Sequence, residues 1–509
     1  MNSKTIIPDI KAGIVVFLIA IPLCLGIALA CKTPLFSGIL AGIIGGILVT
    51  IFSGSVLSVS GPAAGLTAIV LSAVATLGSY EVFAAAVLFA GIVQIILGFI
   101  KAGSLGNFIP NAVIKGMLAG IGIILIIKQI PHLVGYDADP EGDFEFFQTD
   151  GQNTFSDLVL MLNNISPGAI VIGLFSVLIL IISEKEFYRH DKILSNIPGP
   201  LLVVLFGILL RSSFSTFKNP IMHVSNDHMV SLPVISGLND LISNIVTPDF
   251  SLLATSKFWL VVITLAIVAS LESLLSIEAV DKLDPQKRVS DSDKELFAQG
   301  IGNVLCGLIG ALPVTAVIVR GSANIHAGAK SKWSAIFHAL LLLISILLFP
   351  KILMMIPNSS LAAILIVTGY KLARPSLFKD YYYKGKTQVI PFVTTIVVML
   401  VSDPLIGVAM GMAVSIFFII RSNIRSSFEV ADQIIDNKHH YLIKLPQHVT
   451  FFNKGFLIKY LNRIKHNSVV ILDGTINKAT DPDVREVIND FIKNSKNKQI
   501  ELSLIKYSV

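Results

Sequence analysis

Apolar runs long enough to cross a membrane recur from residue 12 to residue 420. Their pattern predicts fourteen spans, at 12–31, 34–53, 62–77, 81–101, 110–131, 168–183, 199–213, 258–280, 295–311, 313–328, 333–349, 358–373, 387–402 and 404–420. Several are shorter than the ~20 residues of a full helical crossing. Two are interrupted: VLSVSGPAAGLTAIV (56–70) and LIGALPVTAVIVRGS (308–322) each run a β-branched or small-residue stretch into a proline and then into a helical pattern. Pro62 and Pro313 suit the first helical position, where a missing N–H costs nothing. Each interrupted run is the third span of its half, with two proline-kinked helices as the plainer alternative. The matched places predict seven-plus-seven inverted repeats, about 12–213 and 258–420, with two half-helices meeting at mid-membrane. Gly38, Gly42 and Gly46 repeat at four-residue spacing and read as a helix contact face.

Charge sets the orientation. The 132–167 loop holds Asp137, Asp139, Glu141, Asp143, Glu145, Asp150 and Asp157 and no lysine or arginine. The 371–386 loop holds Lys371, Arg374, Lys379, Lys384 and Lys386 against Asp380. Fourteen spans counted from a cytoplasmic N-terminus put the acidic loop outside and the basic loop inside, as the positive-inside rule requires, with the C-terminus also cytoplasmic. The first run, 12–30, lacks a small-residue cleavage site and reads as a retained span rather than a signal peptide. The composition agrees: 53% of residues are hydrophobic and 14% charged, against about a quarter charged in soluble domains. The net charge of +6 is loop charge facing a lipid bilayer, and no nucleic-acid partner is implied. Cys24, Cys31 and Cys306 all lie in apolar runs and suggest neither a disulfide nor a metal site. Past Arg421 the pattern changes. Residues 1–425 read as the transmembrane domain, 426–438 as a linker, and 439–509 as a small cytosolic α/β module.

Glu272 and Arg320 are the two charges well inside predicted spans, and intramembrane ionisable groups are functional candidates. A half-helix starting at Pro313 would let Arg320 lean back toward the open N–H groups of Val314, Thr315 and Ala316. Ala63, Ala64 and Gly65 offer the matching helix start, and Thr67 and Thr315 add hydroxyls. Helix N-termini bind anions through backbone N–H groups and the helix dipole, so this is a candidate site for a small anion. Glu272, with Ser276 one turn on, could take up a proton or help hold Na⁺. It could equally form a structural pair with Arg320. Enzyme motifs are absent: there is no H-E-x-x-H, G-x-S-x-G or G-x-x-x-x-G-K, and Ser60 has no accompanying histidine in the first half of the membrane domain.

With IPLCLGIALA (21–30), LSVSGPAAGLT (57–67), SLESLLSIEAVDK (270–282) and GALPVTAVIVRGSANIHAGAKSK (310–332), the chain resembles the SulP family of anion transporters, relatives of the pendrin and prestin group. The resemblance implies an α-helical polytopic membrane protein with the uracil-permease-like inverted repeat. It also implies a homodimer and a C-terminal STAS-like domain, here shorter than usual. Thr67 matches a substrate-contacting threonine, Glu272 and Ser276 a cation-coupling pair, and Arg320 the arginine near the anion site. Leu23 stands where many members carry a glutamine that contacts substrate. The implied activity is secondary-active transport of an inorganic anion across the bacterial inner membrane by movement of a core domain. Bicarbonate is the first substrate reading and sulfate, or anion exchange, the second; Na⁺ or H⁺ is the coupling ion, and no cofactor is implied. A nucleobase permease on the same fold and a non-transporting scaffold or voltage-responsive motor are the readings from other classes.

Overall fold

The computed structural model describes residues 3–137, 153–185, 197–216, 245–402, 404–426, 428–435 and 438–507, with 222, 224–225 and 228–230 between them. The acids Asp139, Glu141, Asp143, Glu145 and Asp150 lie outside the described residues. The chain divides into two units, Met1–Met412 and Ala413–Val509.

A helix stands at each of the fourteen predicted spans. In the first half they are α1 (Ser3–Ala30), α2 (Leu35–Phe52, with a π-turn at Gly45–Val49), α3 (Thr67–Leu77), α4 (Tyr80–Phe99) and α5 (Asn111–Leu133). A short loop helix, α6 (Thr154–Leu160), precedes α7 (Pro167–Ser183) and α8 (Gly199–Thr216). The second half holds α9 (Ser256–Leu283), α10 (Ser292–Leu308), α11 (Ile318–His326), α12 (Trp333–Leu348) and α13 (Asn358–Leu372). The loop helix α14 (Pro375–Tyr383) then leads to α15 (Lys386–Val401) and α16 (Pro404–Ser426). Among the described residues seven helical stretches, α13 counted together with α14, are long and apolar enough to cross a membrane, and five shorter apolar helices accompany them. The chain is a multi-pass helical membrane protein.

Local chemistry marks the boundaries. Ser166 before Pro167 accepts a bond from the N–H of Ala169 and starts α7. Asp291 caps α10 by accepting from the N–H of Lys294. Gly78 ends α3 in the left-handed region, φ +81°. Neither loop helix shows as an apolar run. In α14, Tyr381 stacks on Phe392 of α15 at 4.6 Å, which anchors a helix otherwise rich in polar residues.

The first unit is built from two packing sets. α1 packs on α2, α11 and α12, and α4 packs on α9 and α10. α5 packs on α13 and α15, while α7 packs on α8 and α13. The expected glycine face makes helix contacts: Gly38 abuts the backbone of Cys24 and Gly46 abuts Ala339.

The interrupted spans differ from expectation. Neither proline begins a helix. Ser60–Pro62 forms strand β1 and Val314–Ala316 forms strand β2, paired antiparallel as Ser60↔Ala316, Gly61↔Thr315 and Pro62↔Val314. The helices start later, at the 3₁₀ turn Ala64–Leu66 leading into α3 and at Ile318 for α11. In β2 the β-branched Val314 and Thr315 favour extended backbone. Each strand also satisfies backbone groups that the other would leave bare within the membrane.

The second unit has its own core, including Ile443, Leu457, Val470, Leu472, Val484 and Ile488. Its sheet runs β3 (Glu429–Ile435), β4 (Lys438–Lys444), β5 (Val469–Asp473) and β6 (Glu501–Ile505) in that order, the first pair antiparallel and the others parallel. Helices α17 (Lys454–Leu461) and α18 (Pro482–Ser495) complete it. The stretch read as a linker, 426–438, thus contains β3. Its side chains are exposed throughout, so no buried face marks it as a strand in the sequence.

Candidate functional site

A cavity of about 60 Å³ opens where the two strands hand over to their helices. One wall is Leu23 of α1, then Pro62 at the end of β1, Ala64 and Gly65 after it, and Val317–Val319 at the start of α11. Glu272 and Ser276 of α9 enter from the side. Met117, Ile121, Leu405 and Val408, from α5 and α16, close the opposite wall with apolar side chains.

Backbone donors line this space. Leu66 N–H bonds to Ala63 carbonyl at 3.2 Å, so Ala64 and Gly65 precede the first bonded donor of their turn. α11 has Val317 as its N-cap and no side chain capping it. The first-turn N–H groups of Ile318, Val319 and Arg320 have no partner within their own helix. Two helix starts therefore present donors and positive dipole ends to one cavity.

The expected donors of Val314, Thr315 and Ala316 are a correction. They belong to β2, not to a helix start. The Val314 N–H donates to Asn303 Oδ1 at 2.7 Å and the Ala316 N–H to Ser273 Oγ at 3.3 Å. The Thr315 hydroxyl bonds to the Ala316 carbonyl at 3.2 Å. All three residues are fully buried and none lines the cavity. Ala63 and Thr67 are buried and do not line it either.

Arg320 is fully buried and is not among the residues that line the cavity. Its Nη2 donates to Cys24 Sγ at 3.1 Å, while Nε and Nη1 have no hydrogen-bond partner. The back-leaning geometry expected from Pro313 fails because α11 begins five residues later, putting Arg320 in its first turn. Gly61 and Gly42 make room for the guanidinium. Among the described residues no ion pair joins Arg320 to Glu272. Glu272 instead lies against Gly65, where an added Cβ would stand 2.9 Å from Glu272 Oε1.

The sequence reading missed a polar stripe on α10. Glu295, Gln299 and Asn303 recur at four-residue spacing on one face, all buried. Glu295 accepts from the Ser53 hydroxyl and from Gln299 Nε2 at 2.8 Å. Gln299 Nε2 also donates to Ser60 Oγ of β1 at 2.7 Å, and Asn303 binds β2. One helix thus holds both crossing strands. The four-residue spacing is visible in the sequence, but the partners lie far away along the chain.

Residues 6–395 match the sulfate permease family. YvdB of Bacillus subtilis, which carries "sulfate transporter" in its name, is 27% identical over 82% of this chain and 74% of its own length. BicA, a bicarbonate transporter of Picosynechococcus, is 25% identical over 82% of this chain and 70% of its own. In structure, the chain is similar to murine solute carrier 26 family member A9, an anion transporter in an inward-facing state. The TM-score is 0.69 and the identity 17%, covering 100% of this chain and 87% of that one.

Proposed function

We propose, because this chain belongs to the sulfate permease family and is an anion transporter of that family, that it carries bicarbonate across the bacterial inner membrane with Na⁺ or H⁺. The observation that supports this reading most is the cavity in which two helix starts face Glu272. The N–H groups of Ala64, Gly65, Ile318, Val319 and Arg320 would bind the anion. Arg320 would add its charge from behind the crossing strands rather than by touching the substrate.

Glu272 supplies the argument for both coupling and substrate. Two unit charges 4 Å apart repel by about 4 kcal/mol at an effective dielectric of 20. An anion beside an ionised Glu272 therefore binds poorly until a proton or Na⁺ neutralises the carboxylate. Ser276 lines the same cavity and would give a cation a second oxygen. A dianion would meet roughly twice the repulsion, which favours bicarbonate over sulfate. YvdB's name supports sulfate as the second reading.

Uptake of labelled bicarbonate, sulfate and a dicarboxylate into proteoliposomes, with and without a Na⁺ or pH gradient, separates these readings. Bicarbonate uptake driven by a cation gradient is the expected result. Sulfate uptake without bicarbonate uptake would replace it with the second reading.

A further inference from the structure

Asn303 lies midway along α10 with almost no exposed surface. Its Oδ1 accepts from the Val314 N–H at 2.7 Å, and its Nδ2 donates to the Val314 carbonyl at 3.0 Å. The same Nδ2 donates to Gln94 Oε1 of α4 at 2.7 Å. Gln94 passes the connection on, its Nε2 donating to Ser270 Oγ of α9 at 3.3 Å. Ser273, on the same helix, accepts from the Ala316 N–H. Asn303 is thus the branch point of a network that reaches β2 directly and α9 through one buried amide.

The network meets α9 on a face turned from Glu272, with Ser273 about 60° from the cavity-lining Ser276. At 100° per residue, Ser270 and Ser273 lie within about 60° of one another, while Glu272 is about 100° or more from both. Holding the two serines therefore sets the rotation that turns Glu272 and Ser276 into the cavity. Holding Val314 sets where β2 begins, and the Ser273 bond to the Ala316 N–H sets where it ends, and with it the first turn of α11.

We propose that Asn303 is a positioning residue that keeps the anion-facing start of α11 and the Glu272 face of α9 in one fixed relation. The inference rests on the reading of the cavity as an anion site. Its amide has one acceptor and two N–H donors, and all three groups are engaged. Leucine offers none of them. Aspartate keeps the acceptor for Val314 N–H but sets its second oxygen against the Val314 carbonyl. In Asn303→Asp, Gln94 can flip so that Nε2 donates to the carboxylate, and the Ser270 hydroxyl can then donate to Oε1. Aspartate should accordingly be a partial replacement only while Gln94 is present.

The experiment is uptake of labelled bicarbonate and labelled sulfate by the full-length protein in proteoliposomes, with rates divided by the amount of monodisperse protein. Asn303→Leu is expected to raise KM at least tenfold, with a smaller fall in turnover, and Asn303→Asp to raise it three- to tenfold. Gln94→Leu should move KM less than threefold in the wild-type background and more than threefold further in the Asn303→Asp background. A merely structural role would lower the yield of folded protein and leave KM unmoved. KM within twofold of wild type in Asn303→Asp, or equal effects of Gln94→Leu in both backgrounds, would overturn the proposal. Because Asn303→Asp keeps the buried site polar at nearly the same volume, its KM with and without Gln94→Leu decides the matter if Asn303→Leu does not fold. A wild-type protein that takes up neither anion would instead sink the proposed function.

Discussion

Two glycines a turn apart in the sequence do different work. Gly65 stands against the carboxylate of Glu272, with 2.9 Å between an added Cβ and Oε1. That carboxylate is the far end of a flexible side chain and can move. Gly65→Ala should therefore fold, with a stability change within about 1 kcal/mol, yet weaken anion uptake several-fold by displacing Glu272. Gly61 faces the guanidinium of Arg320, which is enclosed and cannot withdraw. Gly61→Ala should destabilise by about 1–3 kcal/mol through overpacking. Thermal unfolding in detergent and uptake kinetics, measured on both variants, distinguish the two outcomes. Arg320 is a buried cation with two unbonded donors, and such a charge is costly unless a counter-charge is near. Arg320→Gln should weaken substrate affinity about tenfold and reduce the rise in unfolding temperature that a fixed bicarbonate concentration gives the wild type. An unchanged affinity would remove Arg320 from the anion site.

At the scale of elements, the crossing of β1 and β2 is the feature that most altered the site. Its local signals were present: a proline in each segment and a run of β-branched or small residues. Those signals suit a helix start as well as a strand, and the pairing that decides between them joins segments about 250 residues apart. The α10 stripe has a similar character, since Glu295, Gln299 and Asn303 declare a polar face but not what it holds. Loop ties were also hidden. Asp137, just past α5, bonds His132 Nδ1 at 2.6 Å and His228 Nδ1 at 2.7 Å. Burial pushes the Asp137 carboxyl up, but the bonds to the two histidines outweigh it and hold the group below its ordinary 3.8. A depressed carboxylate stabilises the fold above its unfolded value and loses that contribution as pH falls through its folded value. Asp137→Asn should cost about 1–3 kcal/mol at pH 7. The difference from wild type should shrink once the pH drops below 3.8. A difference that persisted at pH 2 would show that the bonds do not depend on the charge.

At the scale of the whole molecule, Glu272 tests whether the cavity couples two ions. Glu272→Gln keeps the shape and removes the charge. It should leave anion uptake measurable and flatten its dependence on a Na⁺ or pH gradient. Retained dependence would move the coupling elsewhere. The number and placement of the spans, the family and the change to an α/β module were all legible in the sequence. Each depends on properties local to the chain: hydrophobic length, loop charge and short motifs. The tertiary structure decided where the half-helices begin, that Val314, Thr315 and Ala316 spend their donors or hydroxyl within the protein, and that Arg320 faces Cys24 while Glu272 faces Gly65. Those outcomes follow from pairings between distant segments, in which each strand satisfies the other's backbone in a medium without water. No single stretch contains the information about its partner, so the sequence alone could name the residues of the site but not assign which of them meet the anion.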